Sequence, residues 1–218
     1  PNMKSSKIFI GFTIMVLVNT AKSFAYNFYN TIDGVNIYFT LTPSYPDRTV
    51  RIAASPANDY KGDFKIPTHA TYPGIETPFP VVGIDEGAFK NCKDLIGITF
   101  IEGITEIPKD AFYECESLKS VELPSSLTTI GLNAFFSCSS LEKIEIPSSV
   151  TTIGDYAFYN CSNLKDVILN EGLTTISVNA FQLCTNLKSI ELPNSLSTIG
   201  HYAFQYCNSL KTIDVPNS

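Results

Sequence analysis

Two kinds of side chain in this chain of 218 residues have chemistry beyond packing: six cysteines and two histidines. Cys207 follows His201 by six residues, and a cysteine beside a histidine is the arrangement that yields a reactive thiolate. Cys207 is, however, one of six cysteines that recur at a fixed step, so packing accounts for it. The sequence has no CxxC, HExxH or GxSxG motif and no phosphate-binding glycine loop. Two histidines also argue against a histidine-based metal site. We therefore predict no enzyme activity, no catalytic residue, no metal and no cofactor.

The cysteines recur at one constant interval along the chain: Cys92, Cys115, Cys138, Cys161, Cys184 and Cys207. A disulfide requires Cα atoms within about 4.4–6.8 Å, whereas side-by-side helices lie about 8–10 Å apart. Cysteines at one inward position of successive short helices would form a ladder of buried free thiols, which suits a small apolar side chain. Bridges between neighbouring coils remain the alternative.

Acidic residues form a second candidate set, for binding a partner. In the predicted strand L-x-x-I-x-L the fifth position should point outward. That column reads Thr99, Glu122, Glu145, Ile168, Glu191 and Asp214. The second position reads Ile96, Lys119, Glu142, Lys165, Lys188 and Lys211. Either the two columns neutralise each other as a solvated face, or Glu122, Glu145, Glu191 and Asp214 capture a basic partner segment or a divalent cation.

Aromatic residues beside the core positions form a third candidate set. Tyr156, Tyr159 and Tyr202 are predicted on the outer, convex side, together with Tyr113, Phe136 and Tyr206. Exposed aromatic rings offer large contact areas to a partner at low entropic cost. The alternative is that they stack on one another between coils and shield the edge of the core.

The elements that must position these residues follow from the same interval. Phenylalanines keep the step of the cysteines, at Phe89, Phe112, Phe135, Phe158, Phe181 and Phe204, and alanine, leucine and isoleucine keep it too. This step falls in the range of about 20–29 residues that is typical of leucine-rich repeats. Within residues 153–164 the apolar spacing predicts one face of a short helix, and residues 164–169 predict a strand. Each coil is thus predicted as strand, turn and short helix.

The unit LxxIxIPxSVTTIGxxAFxxCxxL, read from residues 141–164, resembles the BspA-like branch of leucine-rich repeats found in bacterial surface proteins. The resemblance implies an α/β solenoid, with parallel strands on the concave side and short helices on the convex side. It also implies adhesion to host matrix proteins or coaggregation between cells. Two repeats depart from the pattern, because Ile101 and Asn170 replace the strand-ending proline and are each followed by Glu-Gly.

Three regions are predicted. Residues 1–25 have the charged, apolar and small-residue layout of a secretory signal peptide. Residues 26–80 lack the repeat and are predicted as a β-rich N-terminal cap, with a separate small ligand-binding domain as the alternative. Residues 81–218 are predicted as a solenoid of six repeats, truncated in mid-repeat. An uncapped C-terminal edge would favour self-association.

The net charge and the predicted location limit the classes of partner that we expect. The formal net charge is −6, and it becomes −9 without residues 1–25, which hold three lysines and no acid. No basic run stands out, so we expect no nucleic-acid partner. The apolar stretch at residues 8–18 is too short to cross a bilayer, and we expect no membrane span in the mature chain. The prediction is a secreted or cell-surface module that binds a protein ligand of unknown identity. The alternative is a structural protein that self-assembles into a surface array without a specific ligand.

Overall fold

A computed structural model describes residues 27–42 and 48–215. The predicted signal peptide, residues 1–25, lies outside the described residues. Within the described ranges the chain forms sixteen strands and no helix. They are β1 (Asn27–Ile32), β2 (Val35–Leu41), β3 (Val50–Ile52), β4 (Gly62–Lys65), β5 (His69–Ala70), β6 (Phe79–Ile84), β7 (Leu95–Thr99), β8 (Glu106–Ile107), β9 (Ser120–Glu122), β10 (Thr129–Ile130), β11 (Lys143–Ile146), β12 (Thr152–Ile153), β13 (Asp166–Leu169), β14 (Thr175–Ile176), β15 (Ser189–Ile190) and β16 (Thr198–Ile199).

The lead-in to the repeats contains β1 to β6. Five of these strands form one sheet in the order β1-β2-β3-β6-β5, in which only the β3–β6 pair is parallel. Asn30 on β1 exchanges two hydrogen bonds of 2.9 Å with the backbone of Thr71, directly after β5. The two outer edges of the sheet are therefore tied together, which leaves less free strand edge for association.

The lead-in and the first repeat share one core. Strand β4 pairs in parallel with β7, so it extends the ladder of repeat strands by one. The rings of Tyr60 and Phe64 lie 5.0 and 5.5 Å from the ring of Phe89, the first repeat phenylalanine. Arg51 pairs with Asp85 at 3.0 Å across the same junction. Apolar side chains of the lead-in thus continue the core of the first coil.

The repeat strands from β7 onward stack in parallel with a constant register. Paired residues such as Thr99 and Glu122 lie 23 residues apart in the sequence. The strands form two ladders on one side of the molecule, β4-β7-β9 and β11-β13-β15. We call the outward surface of β7, β9, β11, β13 and β15 the strand face. An isolated bridge between Glu191 and Asp214 extends the register by one coil.

The structure contains a second parallel sheet that the sequence analysis did not predict. Its order is β16-β14-β12-β10-β8, and it pairs each Thr-Ile dipeptide with the same dipeptide one coil away. Ile107, Ile130, Ile153 and Ile176 point into the core and are fully buried. The sequence prediction placed these isoleucines at the start of a helix, because two-residue strands are too short to show an alternating pattern.

The predicted convex helices are wrong. Among the described residues, the segments between the second sheet and the next repeat strand are chains of turns, so this is a β-solenoid rather than an α/β one. In the second coil, N–H groups of Ala111, Tyr113 and Cys115 donate to the carbonyl three residues earlier. Residues between these turns have positive φ, as at Asp110 (56°) and Glu114 (57°), which a right-handed helix excludes.

Hydrogen bonds between coils explain why the convex segments form turns and not helices. The N–H of Phe112 donates to the carbonyl of Ala134 at 2.8 Å, and Phe135 does the same to Ala157 at 2.7 Å. Each coil therefore satisfies part of its backbone through the next coil instead of through its own i−4 carbonyl. The apolar spacing fits both arrangements, so periodicity alone could not separate them.

The phenylalanines are the centre of the core. Rings from Phe89 to Phe204 lie 5.0–5.6 Å apart between successive coils, with their planes within 7°. Parallel planes at this centroid distance are offset stacks, a favourable aromatic geometry. The predicted inward ladder of phenylalanine, alanine and cysteine is therefore confirmed.

Candidate binding surfaces

The strand face brings the predicted acidic residues into one column. Parallel register sets Thr99 beside Glu122, Glu145 beside Ile168, and Glu191 beside Asp214. The side chains of Glu122, Glu145, Glu191 and Asp214 are exposed. Neighbouring strands lie about 4.8 Å apart, so the column forms a narrow stripe of carboxylates.

The ladder of the strand face is interrupted between β9 and β11. This is the step at which Glu122 and Glu145 would stand directly opposite each other. Glu122 instead accepts a hydrogen bond from Oγ1 of Thr99 at 3.0 Å.

In the second-position column, a lysine neutralises the carboxylate of a glutamate directly. Nζ of Lys165 lies 2.8 Å from Oε2 of Glu142, and this hydrogen bond holds the pKa of Glu142 below its usual value. The acidic residues of the fifth-position column have no such partner among the described residues. Within the described part of the chain, no ion pair of 4.0 Å or less involves Glu122, Glu145, Glu191 or Asp214. The stripe therefore keeps its negative charge available to a partner.

The predicted stacking of outer aromatic rings is seen for three of them. Tyr113, Phe136 and Tyr159 stack across successive coils, with centroids 4.7 and 4.8 Å apart and planes within 10°. Nζ of Lys90 sits 4.3 Å from the centroid of Tyr113, at one end of this row. These rings are half-buried and cover the edge of the core, so their position has a structural reason.

Tyr156 and Tyr202 are differently placed. They occupy one turn position two coils apart, with φ of 55° and 60°. The same position holds Asp110, Asn133 and Asn179, residue types that tolerate this left-handed region. Tyr202 is 63% exposed, while Tyr156 contacts Tyr159 at a centroid distance of 5.7 Å. The structure therefore brings Tyr156 and Tyr159 together and leaves Tyr202 apart, with its ring in solvent.

The cysteines are buried free thiols. All six are unbridged, and none is more than 7% exposed. From the second coil onward each Sγ lies 2.9–3.2 Å from the carbonyl oxygen of the phenylalanine 26 residues earlier. Burial raises the pKa of Cys207 to about 11, and its Sγ donates to the Phe181 carbonyl rather than meeting His201. Cys207, the cysteine that the sequence suggested as a partner of His201, is thus held protonated in the core.

No group of three or more histidine, cysteine, aspartate or glutamate side chains in residues 27–42 and 48–215 could hold a metal ion. No helix long and apolar enough to cross a membrane occurs in the same ranges.

Coils of constant length whose parallel strands stack around a ladder of phenylalanine and cysteine define a leucine-rich-repeat solenoid. Residues 82–211 match the model of the BspA type leucine rich repeat region in six copies. The chain therefore belongs to the BspA-type leucine-rich-repeat family, as its sequence resemblance implied. This family is a repeat scaffold and not a class of enzymes.

Among the similar solved structures are three bacterial proteins. A leucine-rich repeat protein from Bacteroides ovatus is 29% identical, with a TM-score of 0.61, covering 82% of this chain and 52% of that one. A leucine rich cell surface protein from Faecalibacterium prausnitzii is 28% identical, with a TM-score of 0.61, covering 80% and 52%. The pneumococcal vaccine antigen PcpA is 28% identical, with a TM-score of 0.69, covering 85% and 49%.

The chain spans about half the length of these three proteins. A comparison with curated proteins found no match.

Proposed function

We propose that this protein is a cell-surface binding module that holds a basic segment of a protein partner against its strand face. The observation that carries the proposal is the row of exposed carboxylates Glu122, Glu145, Glu191 and Asp214, which no ion pair of the described chain neutralises. An acidic stripe on a chain of net charge −6 attracts a basic surface and speeds its association.

The location is part of the same proposal. It is supported by the similarity to a cell surface protein and a vaccine antigen, and by the predicted signal peptide in residues 1–25. The partner we favour is a protein on a host cell or a neighbouring cell, which makes the module an adhesin.

Selection from a random peptide display library tests the proposal with a defined readout. The folded protein should enrich basic peptides, and their association rate should fall as salt is raised. The double variant Glu122→Lys, Glu145→Lys should slow association of the same peptides about tenfold or more, since steering depends on the local charge. Its cost to the fold should be small because both side chains face solvent.

A matched control makes the same charge change elsewhere. Glu76 and Glu86 are exposed and lie outside the strand face, so Glu76→Lys with Glu86→Lys should leave most of the association rate intact. Equal loss in both double variants would mean that net charge alone attracts the peptides and would overturn the proposal. Selection of peptides without basic residues would also overturn it.

Self-assembly into a surface array is the competing function. It predicts sedimentation that depends on protein concentration when no ligand is present. Sedimentation of one species over a wide concentration range would remove it.

A further inference from the structure

One repeat interrupts the acidic stripe. At the fifth position the coils before and after carry Glu145 and Glu191, while Ile168 stands between them and is 37% exposed. The same strand, β13, also carries Asp166 at the outward third position, where its neighbours have Lys143 and Ser189. Ile168 follows the buried Val167 along the strand, so its side chain points away from the core.

The surface around Ile168 is also concave. Strands β13 and β15 pair only at Asp166 with Ser189 and at Val167 with Ile190. Beyond this point no ladder bond joins them, and a depression of about 250 Å³ opens between them. It is lined by Asp166, Val167, Ile168, Leu169, Ser189, Ile190 and Glu191.

The lining combines an apolar wall with carboxylates. Ile168 supplies the outward apolar wall, and Asp166 and Glu191 supply negative charge from two different strands. Leu169 lies at the inner edge of the depression and packs against the core. Lys143 is the register neighbour of Asp166, but no ion pair within 4.0 Å joins them. The depression is smaller than a typical small-molecule site of about 300–1,000 Å³, so its size suits one long side chain of a partner.

We propose that this depression is the anchor site for an arginine of the partner segment. The aliphatic stem packs on Ile168, and the guanidinium donates to the carboxylates of Asp166 and Glu191. Arginine fits better than lysine because its fork of five donors can serve carboxylates on two strands, and because it is more weakly hydrated. The site rests on the proposed function of the strand face, but it adds a specific residue that charge alone would not select.

The test uses three short peptides of the form acetyl-Gly-X-Gly-amide, with arginine, lysine or neutral citrulline at X. Binding is followed by methyl NMR shifts of Leu169 and Ile190 at low salt. The arginine peptide should shift both methyls, and the citrulline peptide should bind about tenfold more weakly or not at all. Equal shifts with arginine and citrulline, or none with arginine, would overturn the proposal.

One substitution separates this site from general attraction by the stripe. Ile168→Glu restores the acidic residue of the neighbouring repeats, so it adds negative charge while removing the apolar wall. The anchor site predicts that the arginine peptide then binds about tenfold more weakly, as expected for the loss of a buried stem contact. Stronger binding would overturn the anchor and leave the acidic-stripe proposal standing.

A matched control and a charge variant complete the test. Ile96 is 43% exposed and does not line the depression, so Ile96→Glu should leave arginine-peptide binding within about twofold. Asp166→Asn with Glu191→Gln should weaken it about tenfold or more. If the peptide binds here while the Glu122 and Glu145 reversal leaves display-selected peptides unaffected, the proposed function fails and the anchor site does not.

Discussion

The carboxylate of Glu102 accepts hydrogen bonds from both the backbone N–H and the hydroxyl of Ser125, one coil further on, each at 3.0 Å. The N–H of Ser126 adds a third at 3.2 Å. Three repeats later Glu171 binds the N–H groups of Asn194 and Ser195 at 3.0 and 3.1 Å. These are the two repeats whose strand-ending proline is replaced, so the Glu-Gly that follows has a structural role.

We call the hydrogen bonds of Glu102 and Glu171 to the next coil the glutamate clasps. They predict a specific dependence of stability on pH. Hydrogen bonds from the backbone of Ser125 and Asn194 hold the pKa of Glu102 and Glu171 below the usual value. A depressed pKa contributes stability above the usual glutamate pKa of about 4.3, and the contribution is lost as pH falls through the folded value. Glu102→Gln with Glu171→Gln should therefore lower the Tm at neutral pH, and the difference from wild type should shrink towards pH 3.

Thermal unfolding followed by circular dichroism between pH 7 and pH 3 measures this effect. Glu86→Gln is the control, because Glu86 is exposed and lies outside the Glu102 and Glu171 contacts, so its Tm at neutral pH should stay close to that of wild type. A Tm difference for the double variant that stays constant down to pH 3 would contradict the clasps.

The thiols should react slowly in the folded protein. Burial raises the pKa of Cys92 and Cys207 to about 11 and that of Cys161 to about 12, so almost no thiolate exists at pH 8. A thiol reagent should find six groups in denaturant without reductant. In the native state the first group to react should be Cys207, which is 7% exposed, and Cys207→Ser should remove that phase. Fewer than six groups in denaturant would show disulfide bridges.

Two adjacent phenylalanines should differ strongly in their contribution to stability. Phe135 is fully buried between Phe112 and Phe158, whereas Phe136 lies in the half-buried outer row with Tyr113 and Tyr159. Phe135→Ala should cost about 3–5 kcal/mol through a core cavity. Phe136→Ala should cost about 1 kcal/mol, in the range of lost aromatic pairing. Urea unfolding of both variants measures the difference, and equal costs would contradict the two-row arrangement.

Tyr202 should be a locally unfavourable residue for the fold. Its φ of 60° is left-handed, which costs an ordinary residue about 1–2 kcal/mol, and asparagine tolerates this conformation best after glycine. Tyr202→Asn should therefore raise the free energy of unfolding by up to about 1 kcal/mol, since the exposed ring gives up little packing. Tyr202→Val should lower it. If both variants lose stability equally in chemical unfolding, the ring makes contacts that its exposure does not suggest.

The lead-in depends on one buried hydroxyl. Oη of Tyr60 donates to the carbonyl of Ala53 at 2.8 Å and accepts from the N–H of Tyr38 at 3.0 Å. Tyr60→Phe keeps the ring against Phe89 but leaves the Tyr38 N–H without its acceptor, so it should cost about 1–3 kcal/mol. Chemical unfolding of this variant measures the cost, and a change below the error of the measurement would mean that water replaces the hydroxyl.

The constant repeat period was sufficient to predict the repeat solenoid, its parallel strands and most of its core. Alanine, phenylalanine and cysteine recur at one step, and a recurring apolar position in a stacked coil has nowhere to go but the core. The outward position of Glu122, Glu145 and Glu191 followed from alternation along a strand. Ile168 carried a visible signal as well, because it is the apolar exception in an acidic column.

Only the tertiary structure decided which hydrogen-bond partners the backbone N–H and C=O groups between the strands find. The apolar spacing near Phe112 suits a helix, but its N–H finds the carbonyl of Ala134 in the next coil, and left-handed residues such as Glu114 then break the helical path. The Glu102 clasp and the opening between β13 and β15 also depend on contacts between residues about one coil apart. A period read along the chain reports which residues face inward, whereas hydrogen bonds between coils are set by stacking geometry.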